Sequence, residues 1–163
     1  MVFLSCWSEA TFAQSSDEYT LKAALSYNFA KYTQWPESVT GDNIQICFFN
    51  AALQSSFGPL EGRTIGQKTL SIKYVQEIED SDTCNVIFLD RSKRNLLNIL
   101  NANLADKPVL TISDINGFID DGGMIEIKTV DNKLRFKINL HQVQLAGVNL
   151  GSQLLNLSME LRR

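Results

Sequence analysis

The stretch from Pro108 to Asn139, PVLTISDINGFIDDGGMIEIKTVDNKLRFKIN, restricts this chain more than any other part of it. Pro108 to Ser113 is a short apolar, β-branched run bounded by a proline and an aspartate, the pattern of a buried strand. Asp114 to Gly122 then turns over itself, because Gly117, Asp120, Asp121, Gly122 and Gly123 tolerate unusual backbone angles. Met124 to Val130 alternates, with Met124, Glu126 and Lys128 on one side and Ile125, Ile127 and Thr129 on the other, which predicts a strand with one wetter face. Asp131-Asn132 is a two-residue turn signal, and Lys133 to Ile138 alternates again through Leu134, Phe136 and Ile138. Strand, glycine elbow and antiparallel hairpin follow one another without a helix of any length. The stretch therefore closes one end of a sheet, with the hairpin at its edge.

The rest of the chain supplies the sheet's middle. Ser15, with Glu18 three residues on, fits a capping box, and Leu21, Ala24, Leu25, Phe29 and Tyr32 form an apolar stripe on the helix that follows. Asn28 falls inside that stripe and is expected to tie the helix to backbone at a strand end. Trp35-Pro36 stops the helix. Ile44 to Phe49, Leu70 to Val75 and Cys84 to Asp90 read as three strands, with a short helical turn over Ala51 to Leu60 and a helix over Ser92 to Leu104. Asn139 caps a short helix that Gly147 ends, and Ser152 opens a last helix whose Leu154, Leu155, Leu157 and Leu161 pack inward. Alternating strands and helices predict a three-layer, Rossmann-like α/β sandwich with a mostly parallel central sheet and an antiparallel edge hairpin.

Length and charge narrow the address. The chain's 163 residues suit one domain. A formal charge of -3 argues against nonspecific nucleic-acid binding, which needs basic patches, and no apolar run approaches a membrane-spanning length of roughly 20 residues. Residues 1–13, MVFLSCWSEATFA, read as a clipped or misassigned secretory signal ahead of a single domain at 14–163. A frayed N-terminal arm is the plainer reading, and a lipoprotein box at Leu4-Ser5-Cys6 has too little chain before it. Cys47 and Cys84 would then remain, either as a bridge or as two small hydrophobes within strands. Spacing does not choose between these.

Catalytic signatures are weak. In such a sheet a ligand belongs beyond the carboxyl ends of the strands, where the polar residues are Asn50, Asp90, Arg91, Ser92, Ser113 and Asp114. A phospho-acceptor centred on Asp90 would need a further acidic cluster after the first strand, and Asn50-Ala51 stands there. His141, the single histidine, falls in a first helical turn with no nucleophile elbow near it, and one histidine with two strand cysteines is not a closed zinc set. Gly58, Gly62 and Gly66 match neither the dinucleotide fingerprint nor the P-loop. Asp120-Asp121 beside Gly122-Gly123 is turn chemistry. No cofactor and no enzymatic activity are expected.

Five blocks in order, YNFAKYTQWP, LTISDINGF, GGMIEI, LRFKINL and AGVNLGSQLLNL, resemble the YfiR family of periplasmic proteins, from about Tyr19 to about Leu157. The resemblance implies a periplasmic regulator that represses an inner-membrane diguanylate cyclase by engaging its periplasmic sensor domain. It thereby limits cyclic di-GMP and biofilm formation, and an OmpA-like outer-membrane lipoprotein can capture it. It also implies dimers, and a cysteine pair in the first and third central strands that Cys47 and Cys84 match. A second pair carried by the best-known members is absent, since Ile119 to Glu126 contains no cysteine, so redox control through that second staple is not implied. Asn28, Trp35, Phe118, Arg135 and Asn139 match family motifs, each with a packing or capping role available. Two surfaces are candidates for binding: the cationic hairpin face with Lys128, Arg135 and Lys137, and the strand-end crevice with Asn50, Ser92 and Asp114, which would suit a small-ligand sensor or carrier.

Overall fold

The computed structural model describes residues 10–163, with side chains from residue 16 onward. Of the leader-like segment, residues 1–9 and hence Cys6 lie outside the described residues, and residues 10–13 already belong to the first helix. Helix α1 runs Ala10–Lys31, so Ser15 and Glu18 are interior to it and form no cap. The remaining elements are β1 (Thr33–Gln34), β2 (Asn43–Phe48), α2 (Gln54–Phe57) between two 3-10 turns, β3 (Thr64–Ile65), β4 (Lys68–Tyr74), β5 (Val86–Leu89) and α3 (Leu97–Leu104). They continue with β6 (Leu110–Ser113), β7 (Ile125–Val130), β8 (Lys133–Asn139), α4 (Leu140–Leu145), β9 (Asn149–Leu150), α5 (Ser152–Leu157) and β10 (Glu160–Arg162).

Eight strands form one sheet in the order β10-β8-β7-β6-β5-β2-β4-β3. Strands β4, β2, β5, β6 and β7 are mutually parallel, while β7/β8 and β3/β4 are antiparallel. The inner strands bury both faces. In β2, Ile44, Ile46 and Phe48 join one core with Val86 and Phe88 of β5 and Leu110 and Ile112 of β6, against Ala23, Phe29 and Ala30 of α1. Cys47, Ile87 and Leu89 point the other way, into a second core with Leu97, Leu100 and Leu104 of α3. These are the three layers of an α/β sandwich.

Three expectations are corrected. The hairpin is not the edge of the sheet: β10 pairs in parallel with β8, Glu160 opposite Lys137 and Arg162 opposite Asn139. The last helix accordingly stops at Leu157, where Ser158 takes extended backbone angles and Met159 donates its N–H to the Phe136 carbonyl at 2.8 Å. The second correction concerns the buried stripe of α1, which comprises Lys22, Ala23, Ser26, Phe29 and Ala30; Leu21, Ala24 and Asn28 are exposed. One residue along a helix is about 100° of rotation, so the helix sits turned from its most apolar face. Third, the wetter face of β7 is dry where it begins, because Glu126 is 1% exposed.

The hairpin and elbow form as their residues dictate. Asp131 and Asn132 both take positive φ, 51° and 60°, the left-handed pair that a two-residue turn between twisted strands requires. In the elbow Gly122 has φ of 93°, and a Cβ on Gly123 would lie 2.2 Å from the Phe118 ring, so only glycine admits this close approach. Buried polar side chains of the sheet hold the elbow down. The Ser113 hydroxyl accepts from the Ile115 N–H at 2.9 Å, and the Asn139 amide donates to the Ile119 carbonyl at 3.0 Å. Asn139 also caps α4, as its place after the hairpin predicts, accepting from the Gln142 N–H.

Cys47 and Cys84 are bridged, with Cα atoms 5.9 Å apart. The bridge lies within the second core beneath α3, both residues buried.

Candidate functional site

Two polar clusters sit beyond the carboxyl ends of the parallel strands. From β2 the chain leaves for β4 on one side and returns to β5 on the other, so the β2/β5 boundary is the topological switch point of the sheet. Asn50 and Asp90 follow those two strands. Each caps the 3-10 turn after it: Asn50 Oδ1 accepts from the Ala52 N–H at 3.1 Å and Asp90 Oδ2 from the Ser92 N–H at 3.2 Å. The same Asp90 oxygen accepts from the Ser92 hydroxyl and from Asn50 Nδ2, while Asp90 Oδ1, buried, has no hydrogen-bond partner among the described residues. Asn50 and Ser92 are thus brought together, their amide and hydroxyl 3.4 Å apart.

Asp114, after β6, belongs to the second cluster. Its Oδ2 accepts from Lys22 Nζ at 2.7 Å and from Arg91 Nε at 3.0 Å, and its Oδ1 accepts from the Arg91 backbone N–H at 2.8 Å. Glu18, one turn before Lys22 on α1, bonds the same ammonium and the Arg91 guanidinium, the latter at 2.9 Å. Lys22 and Asp114 each have side chains only 2% exposed, so this is an ion pair withdrawn from water. Tyr19 packs beside it, with Lys22 Nζ 4.7 Å from the ring centroid; burial, and then the charge of Asp114, push its hydroxyl up to about 12. Nothing in the local pattern marks Lys22 as part of a site; a lysine four residues after a glutamate usually belongs to a solvated helix face.

A cavity of about 460 Å³ opens against this cluster, lined by Glu18, Lys22, Arg91, Arg94, Asp114 and Lys128 with apolar Ile115 and Ile127 among the rest. Neither Asn50 nor Ser92 lines it, so the anticipated crevice divides: Asn50 and Ser92 at the switch point, Asp114 at the cavity.

The hydrogen bond from Lys22, reinforced by the charges of Lys22 and Arg91, holds the Glu18 carboxyl below its ordinary 4.5 despite partial burial. A carboxylate with a lowered folded-state value adds stability above about pH 4.5 and loses it as pH falls through that lowered value. Glu18→Gln is therefore expected to lower the urea midpoint at pH 7 and to approach wild type near pH 3. Solvent screening of this partly exposed group keeps the difference under about 1 kcal/mol. A gap unchanged between those pH values would contradict the assignment.

The hairpin residues divide as well. Lys128 and Arg135 are cross-strand partners of like charge, with Lys128 also 3.8 Å from a carboxylate oxygen of Glu126, whereas Lys137 is neutralised by Glu160 of β10 at 2.8 Å. Lys137 to Asn139 of β8 are covered by β10 and the Phe136 carbonyl by the Met159 N–H, leaving Lys133 to Arg135 as a free edge. Beside it, Leu21, Ala24, Leu25 and Asn28 of α1 and Leu134 of β8 line a shallow, mostly apolar groove. His141 is exposed in the first turn of α4. Asp120 and Asp121 pair with Arg162 and Arg94 at the elbow's surface.

The YfiR/HmsC-like family profile matches residues 19–159, most of the chain. The chain belongs to the YfiR/HmsC-like family. That family has the character of a periplasmic regulator rather than of an enzyme. Among solved structures, a conserved domain protein from Vibrio cholerae O1 biovar El Tor str. N16961 superposes with a TM-score of 0.54 over 88% of this chain, at 8% identity. The YfiR/HmsC-like chain spans 60% of that protein's length, and the likeness is one of fold alone. No curated protein matches the sequence. Among the described residues no helix is long and apolar enough to cross a membrane, and no group of three or more His, Cys, Asp or Glu could hold a metal ion.

Proposed function

We propose that this YfiR/HmsC-like protein works in the periplasm as a repressor of an inner-membrane diguanylate cyclase, binding the cyclase's periplasmic sensor domain and so limiting cyclic di-GMP and biofilm formation. Family membership over residues 19–159 carries this reading. Repression by such a protein requires only higher affinity for the inactive conformation of the sensor than for the active one; a preference of about 100-fold corresponds to about 2.7 kcal/mol. An OmpA-like outer-membrane lipoprotein would relieve repression by competing for the same soluble protein, and self-association would place two such surfaces on one particle.

The free edge of β8, with Arg135 and Lys128 exposed and partly exposed beside the apolar groove on α1, supports a docking role, since an unpaired strand edge offers backbone donors and acceptors to a partner. The test is a pull-down with the periplasmic domain of a co-encoded diguanylate cyclase, together with cellular cyclic di-GMP after deletion. Binding with a rise in cyclic di-GMP is expected. No binding and an unchanged level would reject the repressor.

One observation favours a second reading, a small-ligand sensor or carrier. The cavity against Lys22 and Asp114 falls within the roughly 300–1,000 Å³ range of small-molecule sites and lies beyond the carboxyl ends of the strands, where this architecture binds ligands.

A further inference from the structure

The cavity beside Lys22 has a charge that selects among ligands. Lys22, Arg91, Arg94 and Lys128 line it against two carboxylates, Glu18 and Asp114, an excess of two positive charges among the lining side chains, with Asp121 and Glu126 just outside it. Both carboxylates are engaged: Asp114 by Lys22 and Arg91, and Glu18 by the same two cations. What remains for a ligand is on the outer wall. The Arg94 guanidinium, more than half exposed, reaches the Asn116 carbonyl and Asp121, and Lys128 approaches a carboxylate oxygen of Glu126 no closer than 3.8 Å. Ile115 and Ile127 give the same wall an apolar floor.

Glu18 shows how the inner end of the cavity receives an oxyanion, since its carboxylate is held between the Lys22 ammonium and the Arg91 guanidinium. Cationic groups converging on a partly enclosed volume raise its potential, and guanidinium forks match the paired oxygens of carboxylates and phosphates. We propose that this cavity binds a small multivalent anion bearing carboxylate or phosphate groups, held at its outer wall by Arg94 and Lys128 with Arg91 at the inner end. The inference rests on the ligand-binding reading and adds the ligand's class to it. It is independent of whether a cyclase is the partner.

Isothermal titration of the full chain at fixed ionic strength, with citrate, inorganic phosphate, glucose and putrescine as probes, tests the class and the site together. Saturable binding of citrate or phosphate is expected, weakened at least tenfold in Arg94→Gln/Lys128→Gln and unchanged in Lys107→Gln, a surface lysine paired with Asp82 outside the cavity. Citrate alone identifies the carboxylate source, and phosphate alone the phosphoryl source. Should the double variant unfold early, Lys128→Gln by itself, which gives up only the 3.8 Å contact, carries the comparison through a smaller but measurable weakening. Binding of glucose or putrescine without either anion would overturn the charge class and leave the ligand reading standing. Silence from all four probes would overturn both, and anion binding undiminished in the variants would overturn the site.

Discussion

Replacing Lys22 with methionine is expected to lower the unfolding free energy by about 3–5 kcal/mol, the usual cost of removing one partner from a buried ion pair. The reason lies in what is left behind. Asp114 would keep Arg91, whose side chain is more than half exposed, but would lose its one fully buried cation. A carboxylate 2% exposed then bears a desolvation cost that one largely exposed guanidinium offsets only in part. Urea denaturation at pH 7 measures the loss. Lys22→Met/Asp114→Asn should recover at least about 1 kcal/mol relative to the sum of the single variants, because the amide keeps an acceptor for the Arg91 N–H without a charge that needs a partner. A single-variant cost below about 1 kcal/mol, or strict additivity, would mean that the pair contributes little.

The second large effect belongs to the bridge. Cys47 and Cys84 are 37 residues apart in sequence, and closing a loop of that length restricts the unfolded chain by about 4 kcal/mol in the chain-entropy description. Cys47→Ala/Cys84→Ala should therefore unfold at markedly lower urea than the oxidised protein, and fully reduced wild type should fall near the variant. Access adds a kinetic expectation. Both cysteines are at most 3% exposed under α3, and thiol–disulfide exchange needs a thiolate to reach a sulfur. Reduction of the native protein should therefore be slow and track unfolding, followed by thiol labelling against urea. Rapid reduction without loss of structure would contradict that burial.

Strong local patterns made the sheet legible. The positive-φ pair Asp131-Asn132, the glycine elbow and the apolar runs of β2, β5 and β6 each stand in the sequence as residues with few alternatives. Two elements escaped because long-range partners override local preference. On α1 the apolar series through Leu21 and Leu25 is locally the better buried face, but Lys22 is drawn inward by Asp114, 92 residues away. At Glu160–Arg162 the leucine spacing continues a helix, while the open side of β8 supplies ladder bonds that a further helical turn would forgo. Asp114, Arg91, Asn50 and Ser92 were identifiable from their places after strands. Their division between a switch-point cluster and a cavity depended on side-chain directions that spacing does not encode.

Helix α1 is fastened at two places by unlike means. Near its middle the clasp is ionic, Lys22 on Asp114; just past its end, Thr33 and Gln34 of β1 pair with Leu150 and Asn149 of β9, and the Gly151 N–H donates to the Tyr32 carbonyl at 2.9 Å. The first fastening depends on two side chains that a substitution removes, whereas the second is built of backbone groups that no side-chain substitution takes away. Because α1 carries Glu18 and Lys22 at the cavity and Leu21, Ala24, Leu25 and Asn28 at the apolar groove, a change at the ionic clasp reaches both surfaces through one helix.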